Sequence, residues 1–226
     1  MFVGHLAVAL AAKRAAPRVS LGWLVAASFG IDLLWPVLLL IRAERVAIDP
    51  GNTAFTPLDF EWYPWSHSLL MVLVWAALLG LAAQRRWQDA RAGHIVGGLV
   101  LSHWVLDWVT HRPDLPLWPS GPLAGLGLWN SLAGTLVVEG ALFAIGIATY
   151  QSVTRARDHA GRWAFVGFIG FTGAIWITGP WSAPPPSASA IALVGLAMWL
   201  FPVWANWIDR HRAPRTRAPS SHVEVE

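Results

Sequence analysis

The chain has 226 residues, 55% of them hydrophobic and 13% charged, with a formal net charge of +3. A soluble domain carries about 25% charged residues, so this composition excludes an ordinary soluble enzyme and indicates a membrane protein. There is no cysteine, which excludes a disulfide framework and thiolate chemistry.

The first apolar run, Met1 to Ala12, is shorter than a full span and ends at Lys13-Arg14. It reads as a short helix buried among others or as a tilted, partial crossing. No basic residue precedes it, which argues against a cleaved leader. Stretches 19–41, 64–83, 94–111, 128–150, 163–180 and 188–208 are each long enough to cross a hydrocarbon core, which takes roughly 17–25 helical residues. The expected fold is all-α: a polytopic transmembrane helix bundle of six long spans plus the short N-terminal helix. Residues 1–208 form a single membrane-embedded domain. Residues 209–226 are basic, polar and proline-containing, and are expected to be a disordered tail.

The sequence pI of about 10.2 could suggest nucleic acid, but the layout of the basic residues argues against it. Of 16 Lys and Arg, all but Arg42, Arg45 and Arg112 fall in alternate loops or in the tail. The positive-inside rule then places the loops around Arg85 and Arg157, and the C-terminus, in the cytoplasm. Loops 42–63, 112–127 and 181–187 face outward. They are rich in Pro, Gly and Trp, as suits turns and headgroup-level anchors. The lipid bilayer is the partner that this layout implies.

Ionisable side chains are costly inside a membrane, and this chain has several. His103, Asp107 and His111 are spaced four apart, so they line one face of a helix. His5, Asp32 and His67 lie on other segments. All of them fall in the outer half of their segments, an agreement that the Lys and Arg count did not presuppose. Imidazole and carboxylate together suit a borderline divalent ion, zinc first, with iron or manganese as alternatives. The candidate metal ligands are His5, Asp32, His67, His103 and Asp107. Asp107 and His67 are also the candidate catalytic residues. Ser68, Thr110, His111, Arg112, Asp114 and Glu139 are candidates for the surrounding shell. The plainer reading of each is structural: a lone buried His or Asp joins two helices, Ser66 caps the next helix, and Arg112 pairs with Asp114. His94, His159, His211 and His222 sit at cytoplasmic ends or in the tail and are set aside.

An N-terminal His5, an early Asp32, Ser66-His67-Ser68 opening a span, and His103-Trp-Val-Leu-Asp107-Trp-Val-Thr110 stand in this order. The set resembles the membrane-bound metal-dependent hydrolases of the YdjM-like family, whose type is a LexA-regulated inner-membrane protein. The resemblance covers roughly residues 1–120. It implies a multi-pass protein of the bacterial inner membrane with metal-dependent hydrolase activity. The family often has a His-Arg pair before the Ser-His-Ser block. Here Glu61-Trp-Tyr-Pro-Trp65 stands instead, which leaves Arg112 as the only nearby guanidinium.

The resulting expectation is a metal-dependent hydrolase whose site opens to the outer leaflet, at a depth suited to a lipid or a lipid-linked phosphate. Two rivals use the same residues. A carrier or permease would draw on Pro36 and the mid-span Glu139. A non-catalytic membrane partner protein would use the polar side chains only to lock helices together.

Overall fold

The computed structural model describes residues 1–215. The short first helix is α1, Val3–Ala12. The next apolar stretch is broken into α2, Leu21–Ser28, and α3, Gly30–Leu40, which bend by 56° at Phe29. A hairpin of β1, Arg45–Ile48, and β2, Leu58–Trp62, follows, with Ala47 opposite Asp59. Then come the one-turn α4, Pro64–His67, and two long helices, α5, Leu69–Trp87, and α6, Ala90–Thr110. The pair β3, Leu115–Pro116, and β4, Leu123–Ala124, leads into α7, Leu132–Val153. Strand β5, Thr154–Ala156, is followed by α8, His159–Thr178, then α9, Ala188–Ala197, and α10, Leu200–Arg210. Strand β6, Arg212–Pro214, pairs back on β5.

The chain is an all-α polytopic bundle, but six long spans are not found. Among the described residues four helical runs are long and apolar enough to cross a membrane, namely α5, α7, α8 and the run Ala188–Arg210 that joins α9 to α10, or five if the bent pair α2–α3 counts as one. The helix α6 has 21 residues yet is not one of them. It carries Arg91, His94, Ser102, His103 and Asp107, and these polar residues lower its hydropathy. Residues 209–215, expected to belong to the tail, are part of the fold. Helix α10 runs to Arg210, and β6 is held by the buried Arg212, which donates to Thr154 and to the Gly161 carbonyl. Residues 216–226, with Arg217 and His222, lie outside the described residues.

The outer faces of the bundle are apolar, as lipid contact requires: Val137, Ile145, Val194 and Leu200 are all well exposed. Helices pack closely where side chains are small. A Cβ on Gly93 would meet the Gly80 carbonyl oxygen at 2.8 Å, which lets α5 and α6 run side by side. Helix α1 is enclosed by α2, α6 and α7. The expected short, buried N-terminal helix is therefore a central element.

The loops sort to two ends. At one end, Lys13 pairs with Asp209 and β5 pairs with β6. At the other, Arg112 pairs with Asp59 of the hairpin, and Pro50–Leu58 share a hollow with Gly179–Pro185. The second end carries the candidate site.

Candidate metal centre

Four separate elements bring His5, Asp32, His67, His103 and Asp107 together. On α6, one turn sets His103 Nε2 3.0 Å from Asp107 Oδ2. From α3, Asp32 Oδ1 lies 3.6 Å from His103 Nε2 and 3.5 Å from His67 Nε2. His67, at the end of α4, completes the ring at 3.8 Å from Asp107 Oδ2. His5, from α1, lies on the other side of Asp107, with Nε2 3.1 Å from Oδ1. Its ring stacks on that of His103, with centroids 3.8 Å apart and planes 1° from parallel. The Met1 amino group donates to the same Oδ1.

The rings are oriented from behind. His103 Nδ1 lies 2.8 Å from the Ser28 carbonyl oxygen, at the α2–α3 break. A carbonyl can only accept, so Nδ1 carries the proton and Nε2 faces the two carboxylates. His67 Nδ1 lies 2.7 Å from Ser66 Oγ, and that hydroxyl donates to Glu44 Oε2 at 2.7 Å. Burial pushes the Glu44 carboxyl above its ordinary value, against the pull of the His67 ring and the Ser66 donors.

This arrangement fits a divalent ion. His103 Nε2 is buried without a hydrogen-bond partner, although it points at oxygens that could only accept from it. Tetrahedral ligands at about 2.1 Å from zinc lie roughly 3.4 Å apart. The four His-to-Asp separations among His67, His103, Asp32 and Asp107 run from 3.0 to 3.8 Å around that value. Two ligand groups can be drawn, His5–His103–Asp107 and Asp32–His67–His103. His103 belongs to both, and its one free nitrogen can serve only one ion. The donor set of imidazole and carboxylate is one that zinc, iron and manganese all accept.

A cavity of about 530 Å³ opens above the cluster, within the usual range for ligand pockets. Asp32, His67, Asp107 and His111 supply its polar lining, and Trp35, Phe60, Trp129, Ile191 and Val194 supply apolar walls. Asp32 is the most open of the five, with a side chain 25% exposed, while His5 and His103 are fully buried.

The other expected residues divide. His111 lines the cavity, and its Nδ1 lies 2.9 Å from Asp114 Oδ1. Tyr63 donates to the same oxygen. Burial and the Asp114 carboxylate push the Tyr63 phenol well above its usual value, so it stays a donor. Arg112 is bonded to Asp59 and Asp114, so both anionic partners of its guanidinium come from the protein. Glu139 accepts from the Phe2 amide at 3.0 Å and holds the start of α1 rather than the cluster. Ser68 caps α5 through Met71, and Thr110 bonds carbonyls of its own helix. Sequence reasoning missed Glu44, Tyr63, Asp59 and the Ser28 carbonyl. Glu44 sits between Arg42 and Arg45 in a loop that reads as exposed, and a backbone carbonyl leaves no mark in sequence.

The profile of the YdjM inner membrane protein family matches residues 64–182, more than half of the chain, and the chain belongs to that family. The match starts later and ends later than the expected 1–120. It takes in His67, His103 and Asp107 but not His5, Asp32 or Glu44. Neither the curated proteins nor the solved structures contain a match to this chain.

Proposed function

We propose that this protein is a metal-dependent hydrolase acting on a membrane amphiphile, with a site open to the outer leaflet of the bacterial inner membrane. One observation carries the reading: the neutral His103 ring, its Nδ1 committed to the Ser28 carbonyl, turns the Nε2 lone pair to Asp107 Oδ2 at 3.0 Å and Asp32 Oδ1 at 3.6 Å, with His67 Nε2 3.5 Å from Asp32 and 3.8 Å from Asp107. Acceptors crowded in this way repel one another unless a cation lies between them. Asp32, His67, His103 and Asp107 would hold the ion, zinc before iron or manganese, and His5 would brace Asp107. When bound, such an ion supplies Lewis acidity towards an ester or phosphoryl oxygen and a source of hydroxide near neutral pH.

The protein's own part is to bind and orient. Asp32, His67 and Asp107 line the cavity, so they are the residues placed to touch a substrate, and the carboxylate oxygens of Asp32 and Asp107 not bound to the ion are the ones left to take up a proton from the attacking water. Trp35, Phe60 and Ile191 would exclude bulk water and hold an apolar chain. Val194 lines the same cavity yet is 73% exposed on the outer face of α9, which supports entry from the lipid. A lipid ester or lipid-linked phosphate suits a polar floor under apolar walls. Water adds across the scissile bond and gives an acid and an alcohol.

The test is hydrolysis of phospholipids and prenyl phosphates by zinc-loaded protein in mixed micelles. Ala190, which lines the cavity, is replaced by Trp to fill it. The reading predicts turnover that Ala190→Trp abolishes while zinc content stays the same. Turnover of only water-soluble esters, unaffected by Ala190→Trp, would contradict the amphiphile assignment.

A carrier is the second reading, and the break at Phe29 favours it, because discontinuous helices beside a polar site are common in transporters. Metal uptake into proteoliposomes that needs Asp32, without any hydrolysis, would decide for it.

A further inference from the structure

Glu44 is 2% exposed, and among the described residues no Lys or Arg pairs with it. A carboxylate is rarely buried without a partner unless its neighbours satisfy it. Ser66 does so twice: its amide donates to Oε1 at 2.8 Å and its hydroxyl to Oε2 at 2.7 Å. A serine hydroxyl has one proton. Once that proton is given to Glu44, Ser66 Oγ can only accept from His67 Nδ1, 2.7 Å away. The ring is then protonated on Nδ1, and its Nε2 lone pair faces Asp32 and Asp107.

We infer that Glu44 is a positioning residue which, through Ser66, fixes His67 in the one tautomer that can ligate an ion from Nε2. The inference rests on the metal reading above and adds to it a residue from the loop after α3, 22 positions before Ser66 and outside the family match. Carboxylate partners behind metal-binding histidines act in this way in general, and their loss weakens metal affinity by roughly 10- to 100-fold.

The variants Glu44→Gln and Ser66→Ala separate the possibilities. A glutamine amide can donate to Ser66 Oγ, which frees the hydroxyl proton for Nδ1 and moves the ring proton to Nε2. Two readouts are taken on purified full-length protein in detergent. One is the zinc dissociation constant by chelator competition. The other is the ¹⁵N signal of the His67 ring in metal-free, histidine-labelled protein, assigned with His67→Asn. The expected result is an Nδ1–H ring in the wild type and an Nε2–H ring in Glu44→Gln. Each variant should lose roughly 10- to 100-fold in zinc affinity, and the double variant little more than the weaker single. Ser66→Ala serves if Glu44→Gln fails to fold. Wild-type zinc affinity in both variants would overturn this inference and leave the metal centre standing. An Nε2–H ring in the wild type would overturn it too, since Glu44 would then be the donor of the chain. If the wild type binds no zinc, the metal reading falls. The ring signal still decides whether Glu44 sets the tautomer.

Discussion

The Ser28 carbonyl oxygen lies 2.8 Å from His103 Nδ1, and it does so at the point where α2 ends and the chain bends by 56° into α3. One backbone feature thus performs two tasks. It turns His103 Nε2 towards Asp107, and it starts the helix that carries Asp32 in its first turn. The bent span is part of the site's construction.

Asp107 separates a metal centre from a helix lock. Asp107→Asn keeps the shape but removes the anionic ligand. Bound metal should fall from stoichiometric to trace, while the metal-free protein melts within about 5 °C of wild type. A residue that only joined helices would show no metal change, because amides also bond across helices, at about 0.6 kcal/mol on average. Metal analysis beside thermal melting in detergent reads both.

Gly146 is where α1 meets α7. A Cβ there would lie 2.6 Å from the Ala7 backbone. Gly146→Val should cost about 1–3 kcal/mol by overpacking. It should also weaken metal binding, because the helix pushed aside is the one that carries His5. Urea melts with metal titration check this, and unchanged stability would mean that the two helices are not so closely packed.

Arg112 is tied to Asp59 and Asp114 and is 37% exposed. Arg112→Ala should cost less than about 1 kcal/mol, as for partly exposed pairs, and leave metal content unaltered. A large rise in KM for anionic lipid alone, with stability unchanged, would instead make Arg112 a substrate contact.

Topology can be read by labelling single cysteines, since the chain has none of its own. Residues 88 and 158 should label only from the cytoplasmic side, and residues 51 and 120 from outside. External labelling at 88 would reverse the orientation, and with it the leaflet assigned to the cavity.

The sequence made the site legible to the extent that chemistry alone marks it. Five ionisable residues in apolar surroundings stand out, and they do meet. The span count failed at α6 for the same reason: the candidate ligands His103 and Asp107 lower its apolar character. The break at Phe29 escaped notice because Pro36, seven residues later, drew attention within the same run, and α3 continues through it. Glu44 was hidden because its partner, Ser66, is 22 residues away, and loop acids are exposed far more often than buried. Arg212–Pro214 reads as tail, yet it is pinned by hydrogen bonds to a strand some 58 residues earlier.

The most direct measurement is metal per chain in the purified wild-type protein, beside the double variant His103→Ala/Asp107→Ala, after reloading with zinc, iron or manganese. The shared His103 nitrogen predicts about one ion per chain in the wild type and almost none in the double variant. No stoichiometric metal in the wild type with any of the three ions, or equal metal in both proteins, would contradict the metal centre and leave the polar cluster to proton coupling or helix locking.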